Sequence, residues 1–178
     1  QTRASTSMHT DSSRLETHPR WVGLACVQQA PVGGGSRLAS ALAVHAHLNA
    51  AHPASLARLR QPFYRDVVTP GAVDPLGLIA RNRFPVFADG PDGPTLRYMR
   101  YWIEKGHQRM GQPLADNDRD AFDVLDATLN HPRFCHCFQL QEGDILLIDN
   151  CKLVHDREAY DDNPQRPRRL IRLWLNDV

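Results

Sequence analysis

The chain has 178 residues, a length that suits one domain with a sizeable core. Its 21 Lys and Arg residues nearly balance its 20 Asp and Glu residues, which argues against a nucleic-acid or membrane-surface partner. The sequence contains no apolar run close to the roughly 18–20 residues that span a bilayer. Residues 1–7 also lack the apolar stretch of a secretion signal.

A His and a carboxylate lie two residues apart in Met8-His9-Thr10-Asp11. In an extended segment, residues i and i+2 project to one side, so His9 and Asp11 can both reach one ion. His155 offers a second imidazole far downstream. Two His and one carboxylate form the facial triad that leaves metal positions open, as an iron centre that must accept a co-substrate and O2 requires. The pair alone also fits a polar surface turn.

The next stretch predicts a loop, a strand and helices. Residues 12–20 are polar, whereas Trp21 to Val27 is short, apolar and bounded by turn signals, which is typical of a buried strand. A turn over residues 30–35 follows. Ser36 is then the expected N-cap of a helix of about fifteen residues. Pro53 ends this helix, and a short second helix follows it.

Residues 61–113 predict strands and loops. The strands run from Phe63 to Val68, from Arg83 to Ala88 and from Thr95 to Trp102. The third strand is rich in aromatic and cationic side chains, and two interpretations of it stay open. It is either a solvated edge strand with packed aromatics or a wall of the site. In the second case, Arg97 and Arg100 bind an anionic or zwitterionic substrate.

The remaining chain predicts one amphipathic helix and then strands only. The helix runs from Leu114 to Leu129, and the strands run from Phe134 to Leu140, from Ile145 to Ile148, from Cys151 to His155 and from Arg168 to Leu175. The strand from Ile145 is expected to be buried. Many short strands with irregular turns and two longer helices indicate a β-sandwich or barrel with helical insertions.

Four cysteines occupy positions 26, 135, 137 and 151. Cys135-His136-Cys137 has residue types that bind zinc, but no second Cys/His pair lies at a zinc-finger spacing. We therefore interpret the cysteines as free thiols and expect a cytoplasmic protein.

The chain resembles the taurine dioxygenase (TauD/TfdA-like) family of Fe(II)/2-oxoglutarate oxygenases over essentially all of its length. The resemblance rests on the order and spacing of His9-Thr10-Asp11, Gly33-Gly34-Gly35-Ser36, Gly143-Asp144 to Asp149-Asn150, His155 and Arg168 to Trp174. It implies one domain over residues 1–178, mainly β with helical insertions, folded as a double-stranded β-helix (jelly-roll, cupin-like) barrel. Family members carry a substantial length of chain before the His and Asp that correspond to His9 and Asp11, whereas only eight residues precede His9 here. Either an N-terminal part is absent from this chain or the barrel is incomplete.

The resemblance also implies roles for individual residues. His9, Asp11 and His155 would hold iron, while Ser36 and Arg168 would hold the far carboxylate of 2-oxoglutarate. Arg172 would be a second inward Arg that supports this carboxylate or reaches an anionic group of the substrate. Arg is suited to the task because its planar guanidinium is always charged and pairs with carboxylates through two hydrogen bonds. Which of Arg168, Arg169 and Arg172 makes the salt bridge is left open.

The function that follows is a non-haem Fe(II)- and 2-oxoglutarate-dependent dioxygenase that uses O2 to hydroxylate a small molecule, with release of succinate and CO2. A halogenase is disfavoured because Asp11 fills the position that a halide would need. The alternative is a jelly-roll module that binds a metal or ligand without redox activity. No nucleic acid or membrane partner is expected, and formation of a homo-oligomer is left open.

Overall fold

A computed structural model describes residues 4–15, 17–67 and 70–176, and these contain twelve strands and five helices. The strands are β1 (Trp21–Gln28), β2 (Val32–Gly33), β3 (Ser36–Ser40), β4 (Phe63–Tyr64), β5 (Arg83–Phe84), β6 (Phe87–Gly90), β7 (Gly93–Leu96), β8 (Cys135–Phe138), β9 (Ile145–Asp149), β10 (Leu153–Arg157), β11 (Tyr160–Asp161) and β12 (Arg169–Leu175). The helices are α1 (Ala41–Ala51), α2 (Pro53–Leu59), α3 (Pro75–Arg81), α4 (Arg100–Arg109) and α5 (Asp116–Asn130). The chain is strand-rich as predicted, although helices hold about as many residues as strands do.

Two antiparallel three-stranded sheets organise the fold. One has the order β12-β1-β9 and the other the order β10-β3-β8, while the remaining strands form two-stranded pairs. In the second sheet, His155 lies opposite Leu38, which lies opposite His136. Because successive side chains of a strand alternate between faces, these three side chains share one face of this sheet.

The opposite face of the β10-β3-β8 sheet packs on the main hydrophobic core. Ala39 of β3 and Val154 of β10 belong to this core together with residues of α1, α2 and α5 such as Leu48, Leu59 and Phe122, which are fully buried. Alternate side chains on β3 and β10 therefore point to opposite faces of the sheet. One set anchors the sheet to the helices, and the other set, which includes His155, is presented away from them.

The β12-β1-β9 sheet carries apolar side chains on both faces. Its outer face exposes about half or more of five aliphatic side chains, namely Ile145, Leu147, Ile171, Leu173 and Leu175. The prediction that the strand at Ile145 is buried is therefore wrong for every second residue, since only Ile148 of β9 is fully buried. An apolar run predicts a strand, but whether each face of that strand is buried depends on what packs against the face.

The prediction that Ser36 begins a helix is wrong. Ser36 is the first residue of β3, and the helix N-cap is Ser40, whose hydroxyl accepts a hydrogen bond from the Ala43 amide. The preceding Gly33 and Gly34 both have positive φ, and a Cβ on Gly33 would lie 2.3 Å from the Ala159 carbonyl oxygen. This glycine turn leads the chain into pairing with β10 and β8, and that non-local pairing overrides the local capping signal.

The predicted strand from Thr95 to Trp102 is wrong in its second half. The strand β7 ends at Leu96, and the helix α4 begins at Arg100. Aromatic residues favour strands locally, but this segment gains an i,i+4 ion pair within α4 and packs Gly106 against the backbone of Arg65. Such close packing is visible only in three dimensions.

Two further strand predictions are too long. The strand predicted from Phe63 ends at Tyr64, and residue 68, where it was expected to end, lies outside the described residues. The strand predicted from Arg83 to Ala88 is divided into β5 and β6. The helix α3 was not predicted, and no helix among the described residues is long and apolar enough to cross a membrane.

Candidate metal centre and its surroundings

The fold brings His9, Asp11 and His155 together. One ligand atom from each lies within 4.8 Å of the others, and this is the one such group of three or more His, Cys, Asp or Glu residues in the described part of the chain. The Nε2 atoms of His9 and His155 each lie 3.6 Å from Oδ1 of Asp11. The side chains of Asp11 and His155 are nearly fully buried.

Backbone pairing places the two imidazoles side by side. The amide of His9 donates to the carbonyl of His155 at 3.0 Å, and the amide of His155 donates back at 2.9 Å. This bridge extends the β10-β3-β8 sheet by one short segment, and the ring centroids lie 4.7 Å apart. The Nδ1 atom of His9 lies 2.7 Å from the Ser7 carbonyl, which leaves Nε2 free to present a lone pair towards Asp11.

The side-chain amide of Asn150 fixes the backbone of Asp11. Its Oδ1 accepts from the Asp11 amide at 2.8 Å, and its Nδ2 donates to the carbonyls of Asp11 and Pro19 at 3.0 and 2.9 Å. Asn150 has no solvent exposure. A polar residue that follows β9 thus holds a segment far away in sequence, a role that could not be assigned from the motif alone.

The charge states suit metal ligation. Although burial alone would raise the pKa of the Asp11 carboxyl, contacts with His155 and His9 and a hydrogen bond from Trp174 hold this pKa well below its usual range. Burial lowers the pKa of His155 despite the nearby Asp11 carboxylate. The site therefore contains an ionised carboxylate and a neutral imidazole, the forms that bind a metal ion.

Both ring nitrogens of the buried His155 have no hydrogen-bond partner among the described residues. Buried polar atoms are nearly always satisfied, so an orphaned nitrogen that faces a carboxylate and a second imidazole suggests a ligand that is normally bound there. The donor set of two imidazoles and one carboxylate fits Fe(II). Metal binding by this group remains a prediction.

Two side chains of β12 contact the Asp11 carboxylate. Arg172 Nη1 lies 3.0 Å from each Asp11 oxygen, and Trp174 Nε1 donates to Oδ2 at 2.8 Å. Arg172 was predicted to point inward, whereas no role was predicted for Trp174. Trp174 could have been found from the alternation of side chains along the strand, because residues two apart, such as Arg172 and Trp174, face the same side.

Ser36 and Arg168 lie near the same glycine turn. Ser36 is buried, and it shares the face of β3 that carries Leu38 and hence the side of His155. Arg168 donates from Nε to Gln29 Oε1 at 3.0 Å and from Nη2 to the Gly34 carbonyl at 3.4 Å. Both acceptors are neutral, and the half-buried guanidinium makes no ion pair within the described residues.

Arg97 and Arg100 have different surroundings. Arg97 lies between β7 and α4, stacks 3.9 Å from the Phe84 ring centroid and donates from Nε to the Ser13 carbonyl at 3.1 Å. It therefore lies beside the loop that leaves Asp11. Arg100 begins α4 and forms ion pairs with Glu104, Asp123 and Asp126. This geometry favours Arg97 over Arg100 as a substrate contact.

The cysteines are free thiols in the described structure, as expected. Cys135 and Cys137 lie on one face of β8 with their sulfur atoms 3.8 Å apart. His136 projects to the other face, so the three consecutive residues cannot bind one zinc ion together.

Comparisons with known proteins identify the family of the chain. The model of the "Taurine catabolism dioxygenase TauD, TfdA family" matches residues 1–174. The chain is 26% identical to FR-33289 synthase of Streptomyces rubellomurinus over 99% of its own length, and 28% identical to tyrosine isonitrile desaturase of Erwinia amylovora over 93%. These alignments cover 51% and 58% of the two relatives, so the chain spans a little over half of their lengths.

Two solved structures share the fold. Asparagine oxygenase in complex with Fe(II), a hydroxyasparagine and succinate superposes with a TM-score of 0.75 and 20% identity over 98% of this chain and 50% of that chain. The non-haem iron oxygenase OrfP in complex with Fe and α-ketoglutaric acid superposes with a TM-score of 0.68 and 15% identity over the same shares.

Proposed function

This chain belongs to the taurine catabolism dioxygenase TauD, TfdA family, and we propose that it is a non-haem Fe(II)- and 2-oxoglutarate-dependent dioxygenase that hydroxylates a small molecule. We further propose that residues 1–178 form one domain with a double-stranded β-helix (jelly-roll) architecture. The observation that carries the proposal is the convergence of His9, Asp11 and His155, with their ligand atoms within 4.8 Å.

His9, Asp11 and His155 would hold the iron. Bound Fe(II) supplies the O2 activation that couples decarboxylation of 2-oxoglutarate, giving succinate and CO2, to oxidation of a C–H bond. The chain contributes the geometry around this centre. The His9–His155 backbone bridge fixes the spacing of the imidazoles, and Asn150 fixes the backbone that carries Asp11. Burial of the site limits the access of water.

Arg168 would bind the far carboxylate of 2-oxoglutarate, with Ser36 adding one hydrogen bond. Burial lowers the pKa of Arg168 but leaves a cation at neutral pH, and its side-chain partners are neutral acceptors. The charge of a half-buried guanidinium that lacks a carboxylate partner is only partly compensated, and a dicarboxylate ligand would supply the opposite charge. Arg172 contacts Asp11, so its proposed role is to support the centre or reach an anionic group of the substrate.

Matched substitutions test this anchor. Arg168→Ala should weaken 2-oxoglutarate binding by about 2–5 kcal/mol, because it removes a charged partner, whereas Ser36→Ala should cost about 1.5–3 kcal/mol. Arg169→Ala is the control, since Arg169 is the exposed residue that follows Arg168 and begins β12. Affinity can be measured by titrating 2-oxoglutarate into the anaerobic Fe(II) protein. Normal binding by Arg168→Ala together with weak binding by Arg169→Ala or Arg172→Ala would assign the anchor to another Arg.

The proposed substrate is an anionic or zwitterionic small molecule. Arg97 supports this, because its guanidinium lies beside Ser13, two residues beyond Asp11. Relatives whose names state a substrate include the uridine-5'-phosphate dioxygenase of Amycolatopsis sp, which is 29% identical over 84% of this chain and 52% of its own length. The substrate itself can be sought by screening amino acids, sulfonates and carnitine-like amines for stimulated 2-oxoglutarate turnover.

Iron-dependent release of succinate from 2-oxoglutarate tests the function directly. The wild-type chain should release succinate only when Fe(II) and O2 are both present, and His9→Ala, Asp11→Ala and His155→Ala should each abolish the release. Metal binding without succinate release would favour the alternative of a binding module without redox activity. Full activity in any one variant would remove that residue from the proposed triad.

A further inference from the structure

The two oxygens of the Asp11 carboxylate have different surroundings. Oδ1 lies 3.6 Å from the Nε2 atoms of both His9 and His155, so it faces the proposed metal position. Oδ2 accepts the indole N–H of Trp174 at 2.8 Å. Arg172 does not distinguish the two oxygens, because its Nη1 lies 3.0 Å from each.

The backbone of Asp11 is already fixed, so rotation of its carboxylate is the main freedom that remains. Asn150 binds both the amide and the carbonyl of Asp11. Rotation of the carboxylate plane would still turn Oδ1 away from the two imidazoles. The indole of Trp174 has one N–H, no acceptor and a rigid ring, so its hydrogen bond favours one orientation.

We propose that Trp174 is a positioning residue that holds Asp11 as a one-oxygen metal ligand. The indole binds the outer oxygen, and the inner oxygen is thereby directed to the metal together with His9 and His155. Groups that hydrogen-bond to metal ligands orient them and affect metal affinity strongly. This inference rests on the proposed metal centre, and it adds a residue outside the triad that sets the geometry of the carboxylate.

The position of Trp174 on β12 makes the idea testable without damage to the core. Trp174 is 57% exposed, so replacement by Phe should keep the fold intact. Trp174→Phe removes the N–H but retains an aromatic ring. Trp21→Phe is the matched control, because Trp21 lies on the neighbouring strand opposite Leu175, whose side chain belongs to the other face of the sheet.

Co(II) titration under anaerobic conditions, followed by visible absorption, measures both the affinity and the coordination geometry. We expect Trp174→Phe to weaken Co(II) binding roughly 10- to 100-fold and to change the shape of the visible spectrum. Trp21→Phe should match wild type in both properties. The thermal unfolding midpoint of the metal-free protein should be similar in the two variants, which separates positioning from stability.

If the wild-type chain binds Co(II), three results would overturn the inference. The first is a Trp174→Phe protein with wild-type Co(II) affinity and an unchanged spectrum. The second is an equal loss of Co(II) affinity in Trp174→Phe and Trp21→Phe. The third is a loss of Co(II) affinity in Trp174→Phe that is matched by a lower unfolding midpoint. A wild-type chain that binds no metal would refute the proposed centre and this inference together. Tight binding by wild type and Trp174→Phe alike would refute only the role of Trp174, which distinguishes the two failures.

Discussion

Replacing Asn150 by Ala should damage both stability and metal binding. The side chain makes three buried hydrogen bonds, two to the backbone of Asp11 and one to the carbonyl of Pro19. A typical buried hydrogen bond contributes about 1 kcal/mol, and unsatisfied partners raise the loss, so we expect about 2–4 kcal/mol in the free energy of unfolding. For a chain of this size, each 1 kcal/mol lowers the unfolding temperature by about 2–4 °C.

The assay combines thermal unfolding of the metal-free protein with an anaerobic metal titration. Asn150→Ala should lower the unfolding temperature by roughly 4–16 °C and weaken metal binding at least about tenfold, because Asp11 would no longer be held in place. Asn130→Ala is the control, since Asn130 is exposed at the end of α5 and makes one local hydrogen bond. An Asn150→Ala protein with wild-type stability and metal affinity would refute the reasoning.

Three further predictions follow from individual contacts. Gly106→Ala should destabilise the fold by about 1–3 kcal/mol in a denaturant titration, because the new Cβ would lie 2.8 Å from the Arg65 backbone. Gly23→Ala is the control and should be tolerated, because the nearest contact of its new Cβ would be at 3.6 Å. Burial, reinforced by Arg97 and Arg65, lowers the pKa of His18 to about 4, so its contribution to stability is present above pH 6.5 and is lost as the pH falls towards 4. His18→Gln should therefore flatten the pH dependence of unfolding in this range, and an unchanged pH profile would contradict this. Arg97→Ala should raise the KM for the substrate while leaving uncoupled 2-oxoglutarate turnover intact. An unchanged KM would contradict a role of Arg97 in substrate binding.

The family was recognisable from the order of motifs in the sequence, and the resemblance implied that His155 joins His9 and Asp11. His9 and Asp11 were expected to project to one side because they are two residues apart in extended chain, and all three candidate ligands do lie together. His155 lies in β10, within the strand predicted from Cys151 to His155. The match of the family model confirms the family resemblance. Sheet registers and the partners of charged groups depend on distant residues, and these were not predictable.

Ser36 and Arg100 lie in elements whose type the local sequence does not predict. Ser36 has a residue type that caps helices, yet positive-φ glycines and pairing with two strands place it in β3. Arg100 lies in an aromatic and cationic segment that favours a strand locally. Two of its three carboxylate partners, Asp123 and Asp126, come from α5, more than twenty residues away. Tertiary contacts overrode local propensity in both cases.

Trp174 and Asn150 were not assigned roles for a related reason. Each hydrogen-bonds to Asp11, which is 163 residues from Trp174 and 139 residues from Asn150 in sequence. Alternation along β12 could have placed Trp174 on the face of Arg172, but the residue that this face contacts is set by the packing of the two sheets.

The central claim is that His9, Asp11 and His155 bind one Fe(II) ion that also binds 2-oxoglutarate. An anaerobic titration of Fe(II) into the chain with excess 2-oxoglutarate tests it most directly, with the metal-to-ligand absorption band as the signal. We expect the band to saturate at one Fe(II) per chain, to require 2-oxoglutarate and to be absent in His155→Ala. Absence of the band in the wild-type protein, or an equal band in His155→Ala, would contradict the account.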